Sequence, residues 1–294
     1  MVPGTIYAAL PHTGDDTMGR HTGESRFGDR MTQRKFFVFL LLALCSPLPA
    51  QQIQLGSAAP TEAQLKATTA RGRMLAEYDV AAWHATDVVE ALKPDRVAAV
   101  VYLARRTNGK WEVVFGRMSP QNDRFLIVYR ASEGEVPEEF TAKKLDPPVE
   151  DRGFYFEAAK AIETASKDFG RPPRPYNRYV LPTEDGRLYV YFLPGQTNAG
   201  IYPLGGDVRY TITLDGGTII EKRQMHSNII EKKESPPSGQ QLAGGYHTHG
   251  VNNAVEDSDV FHVLNRQPSI PEIVGTPDKH MYEIETDGTI NRVK

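Results

Sequence analysis

Two histidines near the end of the chain, His247 and His249, have the type and spacing of metal ligands. Side chains at positions i and i+2 of an extended strand point to the same side, so both imidazoles could reach one ion. Asp259 follows about ten residues later, at the start of a predicted short helix over residues 256–264. Three protein ligands of this kind leave one position for water, as in catalytic zinc sites. The sequence therefore indicates that His247, His249 and Asp259 bind Zn²⁺.

A third histidine, His226, follows a predicted strand over residues 218–223. If that strand pairs with the strand carrying His247, His226 would approach the same ion and complete a three-histidine site. A histidine at the end of a strand is also commonly hydrogen-bonded to the backbone, and we favour that structural role for His226. The His247/His249 pair has a second interpretation as well, because two alternating histidines could simply form the polar face of a half-buried strand.

Glycines flank the histidine pair, with Gly244 and Gly245 before it and Gly250 after it. Glycine weakens a strand interior, so three glycines beside a short strand need a reason. We expect the backbone here to approach a ligand or a neighbouring strand closely.

The residues before position 51 indicate export. The basic residues Arg34 and Lys35 precede an apolar run over residues 36–44, and Ala50 offers a small residue at a cleavage point. The apolar run is shorter than the roughly 20 residues that span a bilayer. We therefore predict a signal peptide over residues 31–50, with no stable membrane span after its cleavage and a periplasmic or secreted protein.

A signal peptide belongs at a true N-terminus, so we expect translation to start at Met31. Residues 1–30 are polar and aperiodic, and we predict an untranslated or disordered extension there. The single cysteine, Cys45, lies in the predicted signal peptide. The mature chain would therefore contain no disulfide, no thiolate ligand and no cysteine nucleophile.

Composition fits an ordinary globular protein and excludes some classes of function. The net charge of −3 gives no electrostatic argument for a nucleic-acid partner, and no basic stripe with interleaved aromatic residues is present. No glycine-rich phosphate-binding motif or nucleophilic serine elbow occurs, so nucleotide binding and serine hydrolysis have no support.

The order of predicted elements indicates an α+β fold with a mostly antiparallel sheet and flanking helices. A capping box at residues 61–64 starts a long N-terminal helix, which is predicted to run to residue 92. The dipeptide Asn108-Gly109 predicts a hairpin between strands at 97–103 and 111–115. A second helix is predicted over residues 152–169.

These elements suggest two regions. Residues 61–150 would form an N-terminal helix plus β-hairpin region, and residues 151–294 a C-terminal α+β domain that contains the His-Thr-His motif. The acidic, proline-containing stretch over residues 133–151 is predicted to be a loop between them. Within the C-terminal domain we expect the strand that carries His247 to be interior to its sheet, with the short helix beside it.

A family resemblance covers about the last 50 residues. Tyr246-His247-Thr248-His249, the acidic helix start that ends at Asp259, and Gly275-Thr276-Pro277-Asp278 resemble the Domain of Unknown Function 4329 group. That group looks related to the JAB/MPN (JAMM) metallopeptidases. The resemblance implies a JAB/MPN-like C-terminal region in an exported zinc-dependent hydrolase. Such an enzyme cleaves an amide or isopeptide bond of a protein or peptide substrate, here unknown, with metal-activated water.

The chain departs from the family pattern at the catalytic positions. Glu256 stands where the family has serine, so Ser258 is the candidate for the oxyanion-stabilising hydroxyl after a register shift. The family glutamate has no clear counterpart, because Asn177 near the expected place cannot take a proton from water. Glu221 is our first candidate for that base and Glu184 our second.

The alternative is a non-catalytic exported protein that retains the fold for binding or structure. A usable glutamate beside the histidine pair would separate the two interpretations.

Overall fold

The computed structural model describes residues 59–95, 97–231 and 242–293. The predicted extension (1–30) and signal peptide (31–50) lie outside these described residues, so both stay predictions. No helix in the described ranges is both long enough and apolar enough to cross a lipid bilayer.

The described residues contain three helices: α1 (Glu62–Glu90), α2 (Phe154–Phe169) and α3 (Asp257–Asn265). The capping box predicted at the start of α1 is present. The Gln64 amide donates to Thr61 Oγ1 at 3.3 Å, and the Thr61 amide donates to Gln64 Oε1 at 2.8 Å. The predicted long N-terminal helix is therefore confirmed.

The strands of the described residues fall into three groups along the chain. Before α2 they are β1 (Val101–Thr107), β2 (Lys110–Met118), β3 (Phe125–Glu133) and β4 (Phe140–Asp151). Between α2 and the histidine pair they are β5 (Tyr176–Pro182), β6 (Arg187–Pro194), β7 (Leu204–Gly205), β8 (Val208–Thr213), β9 (Ile219–Gln224) and β10 (Ile229–Ile230). The last group is β11 (Gly245–Thr248), β12 (Glu272–Gly275), β13 (Met281–Ile284) and β14 (Ile290–Val293).

These strands form sheets in the orders β1-β2-β3-β4, β5-β6-β8-β9 and β11-β12-β13-β14, with a small ribbon of β7 and β10. Only the β11–β12 pair is parallel among the described pairings. The predicted α+β fold with a mostly antiparallel arrangement is therefore confirmed. The Asn108-Gly109 hairpin is also present, because Thr107 pairs with Lys110 across it.

Two local predictions were wrong. Much of the stretch predicted as a loop over residues 133–151 is strand β4, at the edge of its sheet. An edge strand tolerates Pro147 and Pro148 because one row of its backbone amides needs no partner strand. The strand that carries His247, β11, is also an edge strand in the described sheet rather than an interior one. Its parallel partner β12 follows α3 in the chain, so α3 lies in the crossover that connects the two strands.

Helices α1 and α2 cover opposite faces of the first two sheets. One hydrophobic cluster joins Leu75 of α1 to Trp111 and Tyr179, and the other joins Ile162 of α2 to Val114 and Val190. Each cluster contains residues from both sides of position 150, so the two predicted regions share their cores. A third cluster lies between α3 and the β11–β14 sheet.

Helix α1 also approaches α3 closely at Gly72. A Cβ at this position would overlap the side chain of Val260, so glycine is required for the contact. α1 continues unbroken through Gly72, which is a packing position.

Candidate metal centre

Four buried side chains converge beside α3: His226, His247, His249 and Asp259, hereafter the His₃Asp cluster. Each offers one ligand atom, and these atoms all lie within 4.8 Å of one another. His247 is on β11 and His249 directly follows it, while Asp259 is in the first turn of α3. The predicted ligands are therefore brought together, and His226 joins them from the segment after β9.

The spacing of these atoms suits one small ion. His249 Nε2 lies 2.9 Å from His226 Nε2 and 3.3 Å from His247 Nε2. Each of the three Nε2 atoms lies 3.1 Å from an oxygen of Asp259. A tetrahedron with metal–ligand bonds of about 2.0–2.1 Å has edges of about 3.3–3.4 Å. These five separations are therefore close to the edges of a four-coordinate zinc shell, and all the ligand atoms lie within 4.8 Å of one another.

The backbone hydrogen bond expected for the His226 ring was wrong, because both ring nitrogens contact side chains. Its Nδ1 contacts the buried carboxylate of Asp207 at 2.8 Å, and its Nε2 points into the cluster. The β7–β10 ribbon lies beside this segment, with Gly205 paired to Ile229. This arrangement depends on pairing between distant segments, which no short sequence pattern around His226 reports.

Carboxylates outside the cluster orient two of its imidazoles. Asp207 holds His226, and Glu272 Oε1 lies 2.9 Å from His247 Nδ1. Glu272 is in turn bound by Arg266 Nη1 at 2.6 Å. A carboxylate on Nδ1 fixes the proton there and leaves the Nε2 lone pair for a metal.

One of the flanking glycines has a clear function. A Cβ at Gly245 would overlap the carboxylate of Glu272, so a side chain there would push this group away from His247. The close approach predicted for this glycine is therefore to a side chain of the neighbouring strand, β12.

Electrostatic coupling inside the cluster is strong. Burial lowers the pKa of His226, but the carboxylates of Asp259 and Asp207 outweigh burial and raise it well above the usual value. Burial also opposes protonation of His247, yet hydrogen bonds with Asp259 and Glu272 raise its pKa to about 9. Burial would raise the pKa of Asp259, whereas His249 and His226 hold it well below the usual range. The site therefore favours positive charge at its centre.

The helix that carries Asp259 begins with acidic residues, each bound to a different element. Asp259 Oδ2 accepts the Glu256 amide at 2.7 Å, which caps the helix. Glu256 receives Arg223 of β9 at 3.0 and 2.6 Å. Asp257 receives Arg71 of α1 and Arg209 of β8. These pairs fix the first turn of α3 in relation to β9, β8 and α1.

The predicted catalytic residues do not join the cluster. Ser258 is buried, and its hydroxyl faces Met225 Sδ at 3.9 Å. Glu221 is exposed on β9, where Thr211 Oγ1 donates to it at 3.3 Å. Glu221 lies five positions before His226, which is about 16 Å along an extended chain.

Glu184 is exposed in the turn between β5 and β6. That turn lies at the end of the sheet where Arg187 pairs with Thr213. The His₃Asp cluster lies at the opposite end, where Val208 pairs with Gln224. Among the described residues, the glutamates beside the cluster are instead Glu272 and Glu256, and both are engaged by arginines.

The arrangement is therefore a buried set of three imidazoles and one carboxylate that could hold a metal ion. All four ligand positions of a tetrahedral ion can be filled by protein. No protein-family model, curated protein or solved structure matches this chain.

Proposed function

We propose that this protein binds one zinc ion through Nε2 of His226, His247 and His249 and a carboxylate oxygen of Asp259. The observation that supports the proposal is the convergence of four ligand atoms that all lie within 4.8 Å of one another, with His249 and Asp259 standing 2.9–3.3 Å from the other imidazoles. Nitrogen and oxygen ligands in a tetrahedron are typical of zinc, although imidazole also suits copper, iron and nickel.

The charges around the cluster support a divalent cation. Five buried carboxylates lie in or beside the cluster. Three of them each contact an arginine, namely Glu256, Asp257 and Glu272. The other two, Asp207 beside the cluster and Asp259 in it, contact only histidines as ionisable partners among the described residues. Burying a charge without a counter-charge costs several kcal/mol. One divalent ion would balance these two carboxylates while leaving the imidazoles neutral.

The number of ligands supports a closed site. Structural zinc sites have four protein ligands, whereas catalytic sites keep one position for water. His226 occupies the position that a three-ligand site would leave open. We therefore infer that zinc in this protein joins the segment after β9 to β11 and α3, and stabilises the fold that these elements share.

The hydrolase remains the second candidate, because His247, His249 and Asp259 converge as the JAB/MPN resemblance implies. Hydrolysis of an amide or isopeptide bond would need His226 to leave the ion so that water can bind. It would also need a base, and Glu221 and Glu184 have no contact with the cluster in the described chain. Export to the periplasm or medium is part of either proposal, and the peptide substrate belongs to this second one.

Metal analysis of purified protein tests the zinc site. We expect one zinc per chain in the wild type, and loss of most of it in His247→Ala and Asp259→Ala variants. His280→Ala is a matched control, because His280 pairs with Asp278 on the β12–β13 loop and is not in the cluster. Wild-type protein that binds no transition metal after exposure to zinc, cobalt and copper would refute the proposal.

Cobalt substitution separates the closed site from the hydrolase. Azide should leave the visible spectrum of the cobalt protein unchanged if the protein fills all four positions. It should change the spectrum of His226→Ala, which opens one position. A spectral change in the wild type would instead favour an open, hydrolytic site.

A further inference from the structure

Building on the zinc site, we propose that Arg71 of the N-terminal helix is a positioning residue for the metal centre. Arg71 touches none of the four ligands. It acts through Asp257, which stands two residues before the ligand Asp259 in the first turn of α3. The geometry points to α1 as the element that determines where this ligand stands.

The contacts of Asp257 come from three directions. Arg71 reaches Oδ1 through Nε at 2.9 Å and Nη2 at 2.8 Å. Arg209 Nη1 and the Tyr191 hydroxyl reach Oδ2 at 2.7 and 2.9 Å. Asp257 is fully buried, so each of these charge-assisted bonds acts away from water and has a defined direction. Arg71 is the only one of the three that comes from α1.

Helix α1 holds α3 at both ends. Arg71 binds the first residue of α3, and Asp79 Oδ2 accepts the side-chain amide of the last residue, Asn265, at 2.9 Å. Between these contacts, Gly72 allows α1 to approach Val260, which is next to Asp259. α3 has only 9 residues, a length at which an isolated helix is unstable in water. The position of α3 therefore depends on its contacts with other elements.

A metal ligand has little freedom of position. A carboxylate oxygen must stand about 2.0–2.2 Å from zinc, and an aspartate side chain is too short to correct a shift of its helix. Without Arg71, Asp257 keeps its two bonds to the β5–β9 sheet but loses its bond to α1. We therefore expect α3 to move and Asp259 to bind the ion less well.

The coupling must act in both directions. If docking of α1 strengthens zinc binding, zinc binding must strengthen the docking of α1 by the same factor. This reciprocal effect gives a readout in the wild-type protein that does not depend on any substitution.

Zinc affinity of three variants tests the proposal. In competition titrations with a zinc chelator, Arg71→Ala should bind zinc at least tenfold more weakly than the wild type, and Arg71→Lys should recover part of the loss. Arg73→Ala is the matched control. Arg73 lies one residue beyond Gly72 and binds Asp287 and Thr289 in the β13–β14 turn, away from the ligands. The zinc affinity of Arg73→Ala should stay within twofold of the wild-type value.

Hydrogen exchange of the wild type gives the second measurement. Adding zinc should slow amide exchange across the α1 residues that face α3.

Two results would overturn the inference: wild-type zinc affinity in a folded Arg71→Ala protein, or amide exchange in α1 that zinc does not alter. If Arg71→Ala does not fold, the zinc affinity of Arg71→Lys and the exchange experiment on the wild type test the inference instead. A wild type that binds no zinc overturns the proposed function as well, whereas normal binding with an unaffected Arg71→Ala overturns only this inference.

Discussion

Helices α2 and α3 are both buried on one side, but by opposite means. The buried residues of α2 are apolar apart from one hydroxyl: Tyr155, Ala158, Ala159, Ala161, Ile162 and Ala165. Those of α3 are mostly polar: Asp257, Ser258, Asp259, Val260, His262 and Val263. Apolar burial is non-directional and scales with area. Buried charges are tolerated only where partners stand at bonding distance. The position of α3 is therefore set by specific partners, and that of α2 by shape.

Metal removal should give the largest difference between the two helices. With free zinc at about 1,000 times its dissociation constant, binding contributes about 4.1 kcal/mol to stability. For a protein of this size that is about 8–16 °C in melting temperature. Calorimetry with zinc and with a chelator measures it. Hydrogen exchange should show that α3 loses protection in chelator before α2 does. Equal melting temperatures, or earlier loss in α2, would contradict the comparison.

Truncation of Ile162 should give the converse result. This side chain is 3 % exposed in the apolar contact between α2 and the sheets, so Ile162→Ala should create a cavity. The expected loss is about 3 kcal/mol in free energy of unfolding. Zinc content and zinc affinity should stay at the wild-type value, because α2 contains none of the four ligands and none of the carboxylates that orient them. Denaturant unfolding and metal analysis of the same preparation test both parts, and loss of zinc would show that the two regions are not independent.

The pH dependence of stability should reverse when the metal is removed. In metal-free protein, burial opposes protonation of His247, but Asp259 and Glu272 raise its pKa to about 9. A raised pKa means that protonation stabilises the folded state. This contribution is complete below about pH 6.5 and is lost as the pH rises through about 9, on the order of 3 kcal/mol in all.

Zinc-bound protein should behave in the opposite way, because the metal binds deprotonated imidazole and competes with protons at low pH. Denaturant unfolding at pH 6.5 and pH 9, with chelator and with zinc, measures both dependences. The same trend in both conditions would mean that His247 is not a ligand.

The smallest effect is expected from the carboxylates outside the cluster. Asp207→Asn should weaken zinc binding by about 10–100-fold, because Asp207 orients His226 and supports its basicity. Asp215→Asn is the control, since Asp215 lies exposed in the turn after β8 and pairs with Lys160. If both substitutions give wild-type affinity, His226 does not need its carboxylate.

The parts of the site that could be predicted are those set by local geometry. The spacing of His247 and His249 along one strand, and Asp259 in the first turn of a helix, follow from regular backbone periods. Asp207, Glu272 and the role of His226 depend on which strands pair and in which register. The wrong choice of Glu221 as the base has the same cause. Its position on β9 was predicted, but its distance from the cluster depends on how the strands pair.

The fold shows the same division. The capping box of α1 and the Asn108-Gly109 turn act over a few residues, and both were predicted. The β4 strand and the edge position of β11 depend on contacts between distant segments. Proline and acidic residues gave β4 the composition of a loop, and only its pairing with β3 makes it a strand.

The separation of the ligands along the chain has a consequence for the order in which they bind. His247, His249 and Asp259 lie within one short segment, whereas His226 precedes them by the whole connection from β9 to β11. A short loop closes faster and at less entropic cost than a long one. We expect the ion to be captured first by the local three ligands, with water completing its shell, and His226 to displace that water last. Stopped-flow mixing of cobalt with metal-free protein should then show two phases, and only the first should survive in His226→Ala. A single phase in the wild type would mean that all four ligands are in place before the metal arrives.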